Sequence, residues 1–133
     1  MDATLERKLL SIESRLVEHP YPPQLVIENT SQCNQQCIHC SHKELIRPKR
    51  KMDRDLHDKI VTELGKYSPE TEIWPTFYGE ALGMGDEIWD RIDYAAEVGC
   101  RNLVLNSNAS LLRRTAQGQD NIDRTGPLAT SAF

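Results

Sequence analysis

The chain has 133 residues, enough for one domain of ordinary size, and its apolar fraction of 38% and aromatic fraction of 6% are lean for a well-filled core. Its net charge of −4, without a long run of either sign, gives no support for binding to nucleic acid or to a membrane. The N-terminus lacks the continuous apolar run of a secretory signal, and no apolar stretch approaches the roughly 20 residues needed to cross a bilayer. We therefore expect a cytoplasmic protein.

The first predicted element is a helix over residues 3–18, marked by four apolar residues at helical spacing. These residues are Leu5, Leu9, Ile12 and Leu16. The proline-rich residues 19–23 end the helix, because proline cannot continue its hydrogen-bond ladder. Residues 24–28 then form a predicted buried strand, and a cysteine-rich loop follows the C-terminal end of that strand.

A helix, a strand, a helix and a strand are predicted beyond this loop. The first helix has Asp53 as its N-cap, ends near Gly65 and carries a three-residue apolar stripe. The stripe consists of Leu56, Ile60 and Leu64. A strand covers residues 72–77, and Pro75 within it removes one donor from the ladder.

The next predicted helix, residues 86–98, is followed by Gly99 and a third strand over residues 102–106. Its inner face is formed by Ile88, Ile92 and Ala95 or Ala96. The alternation of strands and helices predicts βαβ units and a parallel sheet, which is an α/β fold. Cys100, between the helix and the strand, is expected to be a buried structural cysteine.

The other three cysteines, Cys33, Cys37 and Cys40, have the spacing C-x3-C-x2-C. They are too close to form a disulfide framework, and in a reducing compartment such a cluster more often binds metal. Thiolates suit iron–sulfur clusters, and three of them can hold three irons of a four-iron cluster while the fourth stays open to a small molecule. A zinc site completed by His42 or His57 is the alternative.

This loop, placed after a first strand, resembles the cluster-binding segment of the radical S-adenosylmethionine (SAM) superfamily, and Asn34 and His39 are similar to common choices in that family. The resemblance implies a [4Fe-4S] cluster on the three cysteines, with His39 near the adenine of SAM. It also implies that the open iron binds SAM and that an electron from the cluster generates a 5′-deoxyadenosyl radical. The partners implied are SAM and an electron donor such as flavodoxin or ferredoxin.

Two further segments resemble parts of the SAM site of this family. Residues 77–82 resemble its glycine-glycine-glutamate segment, although two positions depart from the pattern, and they imply that Gly79 and Glu80 contact SAM. A solvated loop carboxylate is the alternative for Glu80. The end of the third strand is similar to the family's third-strand segment, which implies that Asn106 and Ser107 lie near the ribose or carboxylate of SAM.

The resemblance divides the chain into three parts: an N-terminal helix and Pro-rich linker over residues 1–23, a partial radical SAM domain over residues 24–112, and an irregular tail over residues 113–133. The tail shows neither helical nor strand periodicity. About three of the roughly six βα units implied by such a barrel are visible. We expect a partial parallel (βα) barrel, truncated and poorly active as given. A metal-binding module without turnover, holding a cluster or zinc, is the alternative function.

Overall fold

Four parallel strands and three helices make up the described part of the chain, residues 2–112 and 129–132 of a computed structural model. The helices are α1 (Ala3–Glu18), α2 (Arg54–Tyr67) and α3 (Asp86–Glu97). The strands are β1 (Gln24–Val26), β2 (Glu72–Trp74), β3 (Asn102–Ser107) and β4 (Ala129–Ala132). None of the described helices is long enough and apolar enough to span a membrane.

The strands pair in the order of the sequence, and every pairing is parallel. Leu25 lies opposite Ile73, and Ile73 lies opposite Leu103. A parallel sheet that keeps chain order is the arrangement of a (βα) barrel, whereas a doubly wound sheet reverses its order at a switch point. The predicted α/β fold and parallel sheet are confirmed, and the strand order is consistent with a partial parallel barrel.

The first two strands are shorter than predicted, because their last residues leave the ladder for loops. β1 stops at Val26 and β2 stops at Trp74. Pro75 follows β2 directly, and its carbonyl accepts hydrogen bonds from both the backbone N–H and the side chain of Asn29. Proline donates nothing to a ladder, so the strand ends where the donor is lost.

The prediction that no strand follows Leu112 is wrong. β4 pairs in parallel with β3, with Val104 opposite Ala129 and Ser107 opposite Ala132. The sequence of β4, ATSA, contains a single β-branched residue, so its local strand signal is weak. The open edge of β3 supplies unpaired backbone groups, and a short segment can pair there despite its propensity. The rest of the predicted tail, residues 113–128 and 133, lies outside the described residues.

The inner face of α2 keeps Leu64 of the predicted stripe, but His57 and Val61 take the positions predicted for Leu56 and Ile60. His57, Val61 and Leu64 are buried, whereas Leu56 is half exposed. The predicted stripe was read from apolar residues alone, and a histidine takes the place of the first of them. Asp53 is the N-cap as predicted, although its side chain makes no capping hydrogen bond.

Gly65 lies inside α2 and does not end it, since the helix continues to Tyr67. A Cβ at this position would lie 2.1 Å from the carbonyl oxygen of Val98, just after α3. Glycine therefore serves close approach between the two helices here, and the helix end comes two residues later.

α3 buries the predicted residues Ile88, Ile92 and Ala95, while Ala96 is exposed. Cys100 is 5% exposed in the core between α2, α3 and the sheet, where its Sγ lies 3.3 Å from the Val61 carbonyl oxygen. Burial raises the pKa of the Cys100 thiol. The prediction of a buried structural cysteine is confirmed.

α1 is a helix over the predicted residues, but none of its residues is buried. Its predicted apolar stripe stays between 44% and 64% exposed: Leu5, Leu9, Ile12 and Leu16. Asp2 caps the helix by accepting a hydrogen bond from the backbone N–H of Thr4. α1 therefore adds nothing to the core of the described residues.

Candidate cofactor site

Three loops meet at the C-terminal edge of the sheet, one after each of the first three strands. The backbone N–H of Glu80, after β2, donates to the carbonyl of Gln32, after β1, at 2.8 Å. The side chain of Asn34 donates to Ser110 Oγ, after β3, at 2.8 Å. Ser107, the last residue of β3, donates to Glu80 Oε1 at 2.9 Å. The three predicted site segments therefore lie together, at the edge where parallel α/β folds bind their ligands.

Gly79 brings the second loop against the first. It is buried, and a Cβ on it would lie 1.9 Å from the carbonyl oxygen of Thr30 and 3.0 Å from that of Gln32. No side chain fits in that space. Glycine at this position is required by contact between the two loop backbones, whereas the sequence resemblance implies a contact with SAM, which stays a prediction.

Glu80 is 3% exposed, so the alternative of a solvated loop carboxylate is wrong. Its Oε1 accepts from the Leu82 N–H at 3.0 Å and from Ser107 Oγ, and its Oε2 accepts from the Asn108 N–H at 2.8 Å. A carboxylate offers about four acceptor positions. Three of them hold donors of the second and third loops, which leaves about one for a ligand.

The end of β3 contributes a tight turn to the site. Ser107 Oγ accepts from the Ala109 N–H at 3.0 Å, and Ala109 adopts a φ of 61°, in the left-handed region that few residues other than glycine enter. Such strained positions persist only where surrounding contacts hold them, and they cluster at functional sites. Asn106, also predicted to contact SAM, lies in β3 opposite Ser131 of β4.

The cysteine tip, residues 33–40, is more open than the other two loops. Cys33, Cys37 and Cys40 are free thiols and partly exposed, and His39 is exposed beside Cys40. The backbone N–H of Cys40 donates to the Cys37 carbonyl at 3.1 Å, which makes one turn of the tip. Ile38, within that turn, is 96% exposed, so the tip packs little of its surface.

Residues 2–112 contain no group of three or more His, Cys, Asp and Glu side chains arranged around a single metal ion. A four-iron cluster holds each thiolate on a different iron, so its ligands need not converge on one point. The described residues place three partly exposed thiols on one short loop, and thiolate is the ligand type that iron–sulfur clusters use.

The two histidines of the zinc alternative are engaged elsewhere. His42 is 5% exposed, and its Nε2 donates to the Ser31 carbonyl at 2.8 Å while Lys49 Nζ lies 3.5 Å from its Nδ1. His57 lies in α2, with its Nδ1 2.9 Å from Asp58 Oδ1. Burial lowers the pKa of the His57 imidazole. A zinc site completed by either ring is not formed by the residues that the structure describes.

The sequence pattern did not indicate one feature of the site, the base of the cysteine loop, which consists of residues 29–31 and 50–52. Its two segments run antiparallel and are joined by backbone hydrogen bonds. The Met52 N–H donates to the Asn29 carbonyl at 2.8 Å, and the Ser31 N–H donates to the Arg50 carbonyl at 3.0 Å. Thr30 and Lys51 form the bridge between these bonds.

Arg91 of α3 lies against this base and is 1% exposed. The sequence holds a signal for it, because Arg91 occupies a position on the same helical stripe as Ile88 and Ala95. A charged residue on a buried stripe needs partners, since an unpaired buried charge is costly. Such a residue is therefore a candidate for a structural or functional contact even before any fold is known.

Comparison with known proteins adds little to this picture. No protein-family model matches the chain, and no curated protein matches it. Among solved structures, the chain is similar to BtrN in its complex with AdoMet and 2-DOIA, with 18% sequence identity and a TM-score of 0.46. The similarity covers 85% of this chain and 57% of the BtrN chain, so the chain spans little more than half the length of that protein.

Proposed function

We propose that this chain is part of a radical SAM enzyme and binds a [4Fe-4S] cluster through Cys33, Cys37 and Cys40. One observation carries the proposal: the cysteine loop, the Gly79–Glu80 loop and the end of β3 are joined by hydrogen bonds at one edge of a parallel sheet. The sequence resemblance requires that these three segments share a site. Loops that follow neighbouring parallel strands meet at this edge whatever their sequence, so the support comes from the side-chain hydrogen bonds between motif residues, which join Ser107 to Glu80 and Asn34 to Ser110.

The cluster half of the site is the cysteine tip. Its three thiols are free, and their partial exposure leaves room for iron and sulfide to enter. Soft thiolate ligands select iron–sulfur clusters over hard cations. The tip is tethered to the third loop, since Asn34 donates to Ser110 Oγ and Asn108 Nδ2 donates to Asn34 Oδ1 at 3.0 Å. A ligand on an open iron would therefore lie near the end of β3.

The SAM half is assigned to Gly79, Glu80, Asn106, Ser107 and His39. Gly79 brings backbone into the site, and the remaining acceptor position of Glu80 suits the amino group of SAM, because a carboxylate pairs well with an ammonium. Glu80 also orients Ser107, whose hydroxyl it holds. His39, exposed at the cysteine tip, is assigned to the adenine.

A bound cluster would supply one electron, received from a donor, for reductive cleavage of the SAM sulfonium, a reaction that gives methionine and a 5′-deoxyadenosyl radical. The chain's own residues would hold the cofactors and orient them. An electron donor such as flavodoxin or ferredoxin completes the proposal. The substrate is left open.

A metal-binding module without turnover is the second candidate, and one observation favours it. Three of the about four acceptor positions of Glu80 are taken by donors of the protein itself. If the last position is also closed to ligands, the cysteine tip can hold a cluster while SAM finds no ammonium partner. The two candidates therefore share the cluster and differ in SAM.

Anaerobic reconstitution with iron and sulfide, followed by SAM and dithionite, separates the candidates. Both candidates should take up about four irons and four sulfides per chain, as one four-iron cluster requires. In part of a radical SAM enzyme, SAM should change the spectrum of the reduced cluster, even where this partial barrel releases little 5′-deoxyadenosine. In a module, SAM should leave the spectrum unchanged and no 5′-deoxyadenosine should form. Stoichiometric zinc in a colourless protein would contradict both cluster-based proposals.

A further inference from the structure

Arg91 makes contact with both sides of the base of the cysteine loop. Its Nη1 donates to Asn29 Oδ1 at 3.0 Å, and its Nη2 donates to the Met52 carbonyl at 2.7 Å. The Nη2 group also donates to Glu87 Oε1, one helical turn earlier in α3, at 2.8 Å. Glu87 in turn accepts from Lys51, so α3 holds the base at three points.

The orientation of Asn29 is fixed by its other contacts. Its Nδ2 donates to the carbonyls of Ile27 and Pro75, each at 3.1 Å, which leaves Oδ1 facing Arg91. Asn29 is 1% exposed, so these bonds have no water to replace them. Arg91 therefore joins a rigid point at the end of β1 to the returning chain at Met52, and everything between them is the cysteine loop.

We infer that Arg91 is a positioning residue for the three cysteines: by clamping Asn29 to Met52 it keeps Cys33, Cys37 and Cys40 within reach of one cluster. The inference rests on the proposed function and deepens it. A loop whose two ends are fixed by buried hydrogen bonds has fewer conformations in the free protein. It therefore loses less conformational entropy when its tip binds a ligand. Residues that orient metal ligands without touching the metal are commonly worth 10- to 100-fold in affinity.

Arg91→Lys is the sharpest variant. It keeps a positive charge beside Glu87, but a single ammonium lacks the planar fork that reaches Asn29 and Met52 together. The first readout is amide hydrogen exchange on the protein without its cluster, at the N–H groups of Ser31 and Met52. We expect both to exchange faster. The second readout is iron release from the reconstituted protein to a chelator, which we expect to be on the order of 10-fold faster than in the wild type.

Two further variants keep the test decisive. Arg101→Lys changes an exposed arginine, beyond α3, that pairs with Glu70 at the surface, and it should alter neither readout. Ser31→Ala loosens the base from its other side, because the Ser31 hydroxyl accepts from the Arg50 N–H at 2.9 Å and donates to the Arg50 carbonyl at 3.2 Å. It leaves α3 untouched and should speed iron release even where Arg91→Lys fails to fold.

The inference is supported if amides of the base exchange faster, those of α3 and β3 do not, and iron leaves faster. It is overturned if the base opens in either variant while iron release matches the wild type, because Arg91 then serves the fold alone. In a variant that folds, exchange that rises throughout the sheet, or that stays unchanged at the base, also overturns it. A wild-type protein that takes up no iron refutes the proposed function itself, and the inference with it.

Discussion

The cysteine tip, residues 33–40, and the carboxylate loop, residues 78–82, lie at the same edge of the sheet but differ in how firmly the protein holds them. Glu80 is 3% exposed and accepts three hydrogen bonds, whereas Ile38 at the tip is 96% exposed. The carboxylate loop is built before any ligand arrives. The tip is tethered at Asn34 and at its base, and its thiols are free to adjust. We conclude that the protein preforms the carboxylate loop of the proposed site and leaves the cysteine tip to be completed by its ligand.

The largest expected effect lies at the tip and concerns binding alone. Each of the changes Cys33→Ala, Cys37→Ala and Cys40→Ala should abolish cluster uptake, measured as iron and sulfide per chain and as the brown chromophore. The stability of the cluster-free protein should change by no more than about 0.5 kcal/mol, as for ordinary surface substitutions. Cys100→Ala is the matched control and should keep the cluster, since Cys100 lies in the core. A cysteine variant that keeps a full cluster would break the comparison.

The second largest effect is a loss of folding stability caused by a substitution in the carboxylate loop. Gly79→Ala places a methyl group where the Thr30 carbonyl oxygen would be 1.9 Å away. It should lower the free energy of unfolding by about 3 kcal/mol, the upper range for overpacking. Gly83→Ala is the matched control, because a Cβ there meets nothing within 4 Å, and it should be close to neutral. Equal urea midpoints for the two variants would show that the close approach is not real.

Glu80→Ala should also lower the free energy of unfolding, but by less than Gly79→Ala. It leaves the buried donors of Leu82, Ser107 and Asn108 without their acceptor, which should cost about 2 kcal/mol of unfolding free energy. Glu70→Ala removes a carboxylate from an exposed pair with Arg101 and should cost about 0.5 kcal/mol or less. If Glu80→Ala and Glu70→Ala lower the free energy of unfolding equally in urea denaturation, the hydrogen bonds of Glu80 do not hold the carboxylate loop in place.

The smallest effect is a pH dependence away from both loops. Burial lowers the pKa of His57, so between its ordinary value of about 6.5 and its folded value the unfolded chain binds more protons. Stability should therefore be insensitive to His57 above about pH 6.5 and should fall as the pH decreases below it. Denaturation curves of the wild type and His57→Gln should diverge in pH dependence only in that acidic range. Parallel pH profiles would mean that His57 is not buried in its neutral form.

Much of this arrangement follows from the sequence, because chain order constrains parallel sheets strongly. Three strands with helical connections place their C-terminal ends at one edge, so motifs found after each strand have to meet there. Gly79 was singled out by its place beside a motif carboxylate, but its close approach is to the Thr30 backbone, which the sequence did not indicate. The helices α1 and α3 were predicted from the spacing of apolar residues, and their bounds lie at or within one residue of the predicted ones.

The rest depends on contacts that periodicity does not encode. The burial of Glu80 needs donors from β3, 27 and 28 residues away, and the base of the loop needs Arg91. β4 forms through pairing with β3 and carries little strand signal of its own. In α2, a histidine takes an inward position that an apolar pattern assigns to Leu56. A polar side chain is buried only where the fold brings hydrogen-bond partners to it, and a periodic sequence pattern does not reveal those partners.

The most direct test of the central claim is a titration of the reduced, reconstituted protein with SAM, followed by electron paramagnetic resonance. If the three loops form one site, SAM should change the spectrum of the cluster in a saturable way. Glu80→Ala should weaken that binding by about 1–3 kcal/mol, the scale of a lost charged hydrogen bond, while the cluster remains. A cluster spectrum that stays the same at every SAM concentration would contradict the account, because the cysteine tip and the carboxylate loop would then not share a ligand.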